Sequence, residues 1–137
     1  MALKAERGAR YREKMELASE RITNIREWHQ SGSDLKSRLA TYKAFQESAE
    51  ALMDLGAMVC KDAGKTVKDD YENIQTLCTL KIIDEKLAET IKELNGMRNR
   101  VVHEYNGFSY QLFSQNVERL LKAAEKYLAR IEEWTKK

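Results

Sequence analysis

The chain has 137 residues, 42% of them apolar and 34% charged, a length expected to form a single domain, 1–137, around one core. Lys and Arg number 24 against 22 Asp and Glu, a net charge of +2. This excludes the basic excess of a dedicated duplex-binding protein and confines any nucleic-acid contact to a local patch. The apolar share, with 8% aromatics, also excludes a disordered chain, and the absence of proline favours long unbroken helices.

Residues 1–14 mix Lys4, Arg7, Arg10, Arg12 and Lys14 with Glu6 and Glu13, and no apolar stretch follows, so no signal peptide is expected. Nor does any run approach the roughly 18 apolar residues of a membrane span. A cytoplasmic protein without a membrane partner is the expectation. The default for the basic residues is a solvated helix face laced by Glu6, Glu13 and Glu16.

From Tyr11 the apolar positions continue through Met15, Ala18, Ile22, Ile25 and Trp28, in steps of three and four, which predicts one long helix. His29, near its polar end, reads as a surface or capping residue. Gln30-Ser31-Gly32-Ser33 interrupts the pattern, with Ser33 or Asp34 as the next N-cap. A second stripe runs through Leu35, Leu39, Tyr42, Phe45, Ala49, Leu52, Met53, Gly56 and Val59 and fades near Gly64. So short a return between two long helices predicts an antiparallel pair.

Asp69 and Glu72 form an acidic variant of the capping box ahead of Ile74, Leu77 and Cys78, which predicts a short helix. Asp84 then caps a helix whose buried stripe is Leu87, Ala88, Ile91 and Leu94. Asn95-Gly96 either ends or kinks it. Asn106-Gly107 is a strong turn signal, and Ser109 caps a last helix with the stripe Leu112, Phe113, Val117, Leu120, Leu121, Ala124, Leu128, Ile131 and Trp134. No segment alternates as a strand would. The expected fold is an all-α, antiparallel four-helix-type bundle with additional short helices. Tyr11, Tyr42, Phe45, Phe113 and Trp134 fall on the stripes and read as core or dimer interface rather than base-stacking platforms. Cys60 and Cys78, 18 residues apart without CxxC context, read as buried reduced thiols.

The segment from Met97 to Tyr105 departs from this amphipathic filler by concentrating Arg, Asn, His and Tyr. Arg98 offers a permanently charged fork suited to phosphate, His103 exchanges a proton near neutral pH, and Tyr105 carries a phenol. RNA cleavage through the ribose 2′-hydroxyl needs such groups: a base for the hydroxyl proton, a cation for the charge building on phosphorus, and an acid for the leaving oxygen. From residue types alone a second reading stays open, a polar bundle interior in which His103 bonds Asn99 or a neighbouring backbone group. Arg100, beside these residues, is a candidate RNA contact.

Arg98, four residues, His103, one residue, Tyr105, with Asn99 after the arginine, resembles the RX4HXY motif of HEPN-superfamily ribonucleases, specifically the HepT-type toxins. The likeness extends over residues 10–135. It includes the alanine-bearing second helix from Lys43 to Val59, the short helix after it, Ile83-Asp84-Glu85, and the ending Val102-His103-Glu104-Tyr105. The resemblance implies a metal-independent endoribonuclease toxin that acts as a homodimer, its motif segments facing each other across a cleft. It further implies an MNT-type nucleotidyltransferase antitoxin as partner, one that transfers AMP to the motif tyrosine. Carried over by position, Arg98 and His103 would be catalytic, Asn99 would support the site, and Tyr105 would take the modification. No cofactor and no metal are expected.

Helical geometry bears on this independently. On an ideal helix Arg98 and His103 stand about 140° apart, Asn99 and His103 about 40°, and Arg98 and Tyr105 about 20°. One chain presents Arg98 and His103 poorly together, whereas a two-fold axis brings a patch against its own copy. The composite site is therefore expected to hold two His103 rings, one as base and one as acid. Two alternatives belong to other classes: a non-catalytic helical adaptor for a minimal nucleotidyltransferase, and a purely structural bundle.

Overall fold

The structure is a computed structural model that describes residues 5–31, 34–102 and 109–137. Their helices follow in the order α1 (Ala5–Ser31), α2 (Leu35–Asp62), α3 (Asp70–Thr79), α4 (Glu85–Val102) and α5 (Tyr110–Thr135), and no strand occurs among the described residues. Four long helices and a short one make the expected all-α bundle. The turn Asn106-Gly107 lies outside the described residues.

Each helix start predicted from side-chain chemistry is built as predicted. A cap side chain accepts a hydrogen bond from the backbone N–H three residues on, satisfying a donor that has no partner within the helix. Asp34 serves Ser37 at 3.3 Å, Asp69 serves Glu72 at 2.8 Å, Asp84 serves Leu87 at 2.7 Å and Ser109 serves Leu112 at 3.2 Å. Two helix ends share one device. After α2, Gly64 (φ 77°) turns left-handed while the Lys65 N–H bonds the Cys60 carbonyl at 2.8 Å. After α3, Lys81 (φ 63°) does the same while the Ile82 N–H bonds the Leu77 carbonyl at 3.0 Å. Asn95-Gly96 neither ends nor divides α4, which continues through both to Val102.

Ion pairs register the helices. Arg7 meets Asp62, Lys14 meets Asp54 and Arg21 meets Glu47, so rising numbers on α1 face falling numbers on α2 and the pair is antiparallel. Arg26 bridges from α1 to Glu118 and Glu125 on α5, and Arg119 of α5 pairs with Glu93 of α4. One buried cluster draws on all five helices, with Tyr11, Ile25, Phe45, Leu52, Leu77, Ile91, Phe113 and Tyr127 among its fully buried members. Tyr42 and Trp134 are partly buried against it. No helix among the described residues is long and apolar enough to cross a membrane.

The apolar stripes overreach at three positions. Leu35 and Leu39 are 62% and 56% exposed, and Leu112 is 37% exposed. The buried face of α2 begins at Thr41 and runs through Phe45, Ser48 and Leu52. Leu39 stands about 160° around the helix from Thr41, so it faces away from that core. Cys78 is partly exposed rather than buried, while Cys60 is enclosed and donates to the Asn73 carbonyl at 3.6 Å. His29 stands half-buried in the last turn of α1, and its Nδ1 is shielded with no hydrogen-bond partner among the described residues.

Candidate active site

Arg98, Asn99 and Arg100 occupy the last turns of α4. The helix is amphipathic up to this point, and its buried residues include Ile91, Leu94, Asn95 and Met97. The packing of that stripe fixes which way the following polar residues point. His103 and Tyr105 lie outside the described residues, so the distances from them to Arg98 stay an expectation from helical geometry.

Arg98 is largely enclosed, its side chain only 19% exposed. Its Nε and Nη2 both donate to Asn95 Oδ1, at 3.4 and 3.2 Å, which is a neighbour one turn back on the same face. Nη2 also donates to Asp70 Oδ2 of α3 at 3.4 Å, and Nη1 stands 3.9 Å from Glu50 Oε2 of α2. Three helices thus converge on one guanidinium. Asn95 is 1% exposed, and its carbonyl oxygen meets the donors that burial would otherwise strand. Asn99, half-buried, donates from Nδ2 to the Tyr71 hydroxyl at 3.3 Å. Arg100 is exposed on the outer side of the same turn.

Beside this turn a groove of about 500 Å³ separates α4 from the start of α2. Its walls carry apolar Leu35, Leu39, Val101 and Val102, basic Arg38 and Lys43, and the rings of Tyr42 and Tyr110. Tyr110 stacks on Phe113 with centroids 5.9 Å apart, and Tyr42 meets the edge of Phe113 at 5.4 Å. Tyr42 and Tyr110 therefore do contribute to an aromatic floor near the motif, which the stripe alone did not reveal.

Sequence reasoning singled out Arg98, Asn99 and Arg100, and the fold brings the first two against Asp70, Tyr71, Asn95 and Glu50. Those four were missed. Asn95 was visible as a polar residue one turn before the arginine on an otherwise buried stripe. Asp70, Tyr71 and Glu50 carried no local signal, because their approach depends on how α2 and α3 dock on α4. Chemically the arrangement presents a permanent cation and an amide on one helix end, next to a groove with basic walls, suited to an anionic ligand.

The architecture is that of known HEPN toxins. The fold matches an AMPylated Shewanella oneidensis HEPN toxin solved with its MNT antitoxin, at a TM-score of 0.83 and 19% identity, covering 90% of this chain and 96% of that one. A mutant of the MntA-HpeT toxin-antitoxin pair matches at a TM-score of 0.81 and 18% identity, covering 90% and 98%. The HepT-like ribonuclease family model matches residues 11–131, and the chain belongs to that family of RNA-cleaving enzymes. A protein from Archaeoglobus fulgidus that bears an RNase name is 37% identical over 127 residues, 93% of this chain and 94% of its own. A second from the same organism is 38% identical over 115 residues, 84% of this chain and 83% of its own.

Proposed function

We propose that the protein is the toxin of a toxin-antitoxin pair, a metal-independent endoribonuclease whose site is completed across a homodimer. The observation that carries the reading is the unbroken sequence motif Arg98-Asn99, His103, Tyr105, whose first two residues lie in the last turns of α4, in a chain of the HepT-like ribonuclease family. One His103 accepts the ribose 2′-hydroxyl proton, and the attacking oxygen closes onto phosphorus. The His103 of the second copy protonates the departing 5′-oxygen, leaving a 2′,3′-cyclic phosphate. Arg98 takes the charge that builds on the phosphoryl oxygens, Asn99 supports the site, and Arg100 contacts RNA beside it.

Exposed Leu35 and Leu39, on the groove next to Val101 and Val102, support an isologous pairing on the motif side of the bundle. A nucleotidyltransferase antitoxin that places AMP on Tyr105 is supported by the AMPylated HEPN toxin solved with its MNT antitoxin. Were the helical spacing to continue to Tyr105, adenylylation would add bulk and a phosphate charge about 20° around from Arg98, where it would block an incoming RNA phosphate.

The test is cleavage of mixed transfer and messenger RNA by the purified protein in excess chelator, with wild type and His103→Ala compared at matched helical content. Chelator-resistant cleavage that leaves cyclic phosphates and vanishes in the variant is the expected result. No cleavage by protein whose Tyr105 is unmodified by mass spectrometry would overturn it in favour of the adaptor.

A further inference from the structure

Helix α3 is only ten residues long, yet its first two residues each reach one of two consecutive residues of the motif. Asp70 accepts from Arg98 at 3.4 Å, and Tyr71 accepts from Asn99 at 3.3 Å. Two independent devices hold that first turn. Asp69 caps it from below, and the 3% exposed Asn73 clamps the incoming chain, accepting from the Lys68 N–H at 2.8 Å and donating to the Lys68 carbonyl at 3.1 Å. On the other side, the Tyr71 hydroxyl lies against α4 at Gly96, where even a Cβ would stand at an ordinary contact distance of 3.7 Å. The phenol lies over that residue and bonds Asn99 three positions on.

We propose that the Asp70-Tyr71 dipeptide is a positioning element for RNA cleavage, orienting Arg98 and Asn99 before substrate arrives. The inference rests on the reading above that these two residues serve the reaction. An arginine side chain has many rotamers, and ordering them during folding removes that cost from the chemical step. The contacts are long, and a guanidinium has five N–H donors, more than Asn95 and Asp70 take up. The grip therefore orients Arg98 while leaving it able to engage a phosphoryl oxygen.

The experiment measures single-turnover cleavage by wild type, Asp70→Ala, Asp70→Asn, Tyr71→Phe, Arg98→Ala and the Asp70→Ala/Arg98→Ala double variant. The ¹⁵N–¹H signal of Arg98 Nε is followed in parallel. Asp70→Ala is expected to lower kcat about ten-fold with KM nearly unchanged, the loss expected for a misoriented group. Asp70→Asn, which keeps an acceptor oxygen, recovers most of that loss, and Tyr71→Phe shows a smaller one. The Arg98 Nε signal moves in Asp70→Ala, and the double variant is no slower than Arg98→Ala. Unchanged kcat in Asp70→Ala despite a moved Arg98 signal overturns the proposal. So does a full additional loss on top of Arg98→Ala. Wild-type cleavage by Arg98→Ala, with the Arg98 signal still answering to Asp70, removes the catalytic reading of Arg98 and leaves the contact itself intact.

Discussion

Tyr127 is completely buried, and its hydroxyl is tied to one carbonyl, that of Leu52 on α2, at 3.2 Å. Burial pushes this phenol far above the ordinary tyrosine range, so it remains a neutral donor. The close approach depends on Gly56, where a Cβ would meet the Tyr127 hydroxyl at 2.6 Å. Alanine improves helix propensity by about 1 kcal/mol, but forced overpacking costs about 1–3 kcal/mol. Gly56→Ala should therefore destabilise the protein. Tyr127→Phe alone should cost about 1 kcal/mol through the lost hydrogen bond. Combined, the new methyl occupies the space left by the hydroxyl, so the double variant should be more stable than the sum of the two. Urea unfolding of the four proteins checks this, and strict additivity would show that the two residues do not meet.

At the scale of the element, the two left-handed helix ends differ in one residue type. Gly64 adopts its conformation without a Cβ penalty, whereas Lys81 (φ 63°) holds a Cβ against the following carbonyl. Lys81→Gly keeps the hydrogen bonds of the turn and should raise stability by about 1 kcal/mol, read from the urea midpoint. The same contrast explains what the sequence made legible. Caps such as Asp69 and Asp84 are decided within a few residues by local chemistry, so they could be read directly, and the fading of the apolar stripe near Gly64 marked where α2 ends. Lys81 gave no such sign, because nothing about lysine asks for a left-handed turn. Leu35 and Leu39 have helical spacing, but spacing does not say which face of α2 its neighbours cover. The polar end of α4 was legible as a concentration of Arg and Asn. Its partner Asp70, 28 residues earlier in the chain, was not, since only the docking of α3 brings the two together.

For the molecule as a whole, ion pairs between distant helices set its response to acid. Arg26 of α1 donates to both Glu118 and Glu125 of α5, and these bonds hold both carboxyls below the ordinary glutamate range. Because their folded pKa values are depressed, the stabilisation is present above the unfolded value of about 4.3 and is lost as pH falls through the lower folded values. Both carboxylates are about half exposed, so solvent screens much of the effect. Arg26→Gln should flatten the fall of stability with acid below about pH 5, as measured by thermal unfolding across a pH series. An unchanged slope would show that the α1–α5 bridge does not contribute to it.

The other whole-molecule question is assembly. Leu35 and Leu39 sit on the first turns of α2, directly after the Asp34 cap and apart from the core. Glutamate at position 35 suits the positive end of the helix dipole, and both substitutions leave the buried face of α2 untouched. Leu35→Glu/Leu39→Glu should consequently keep its helical content and thermal stability. In a two-fold pairing through this groove, however, each substitution is presented twice and placed near its own copy, so like charges replace apolar contact at the centre of the interface. The variant should elute as a monomer where wild type elutes as a dimer, and cleavage should fall with dimer content. If the double variant stays dimeric, the two-fold axis runs elsewhere. If it is monomeric yet cleaves RNA at the wild-type rate, Arg98 and His103 of a single chain suffice, and the two-histidine scheme across a dimer falls.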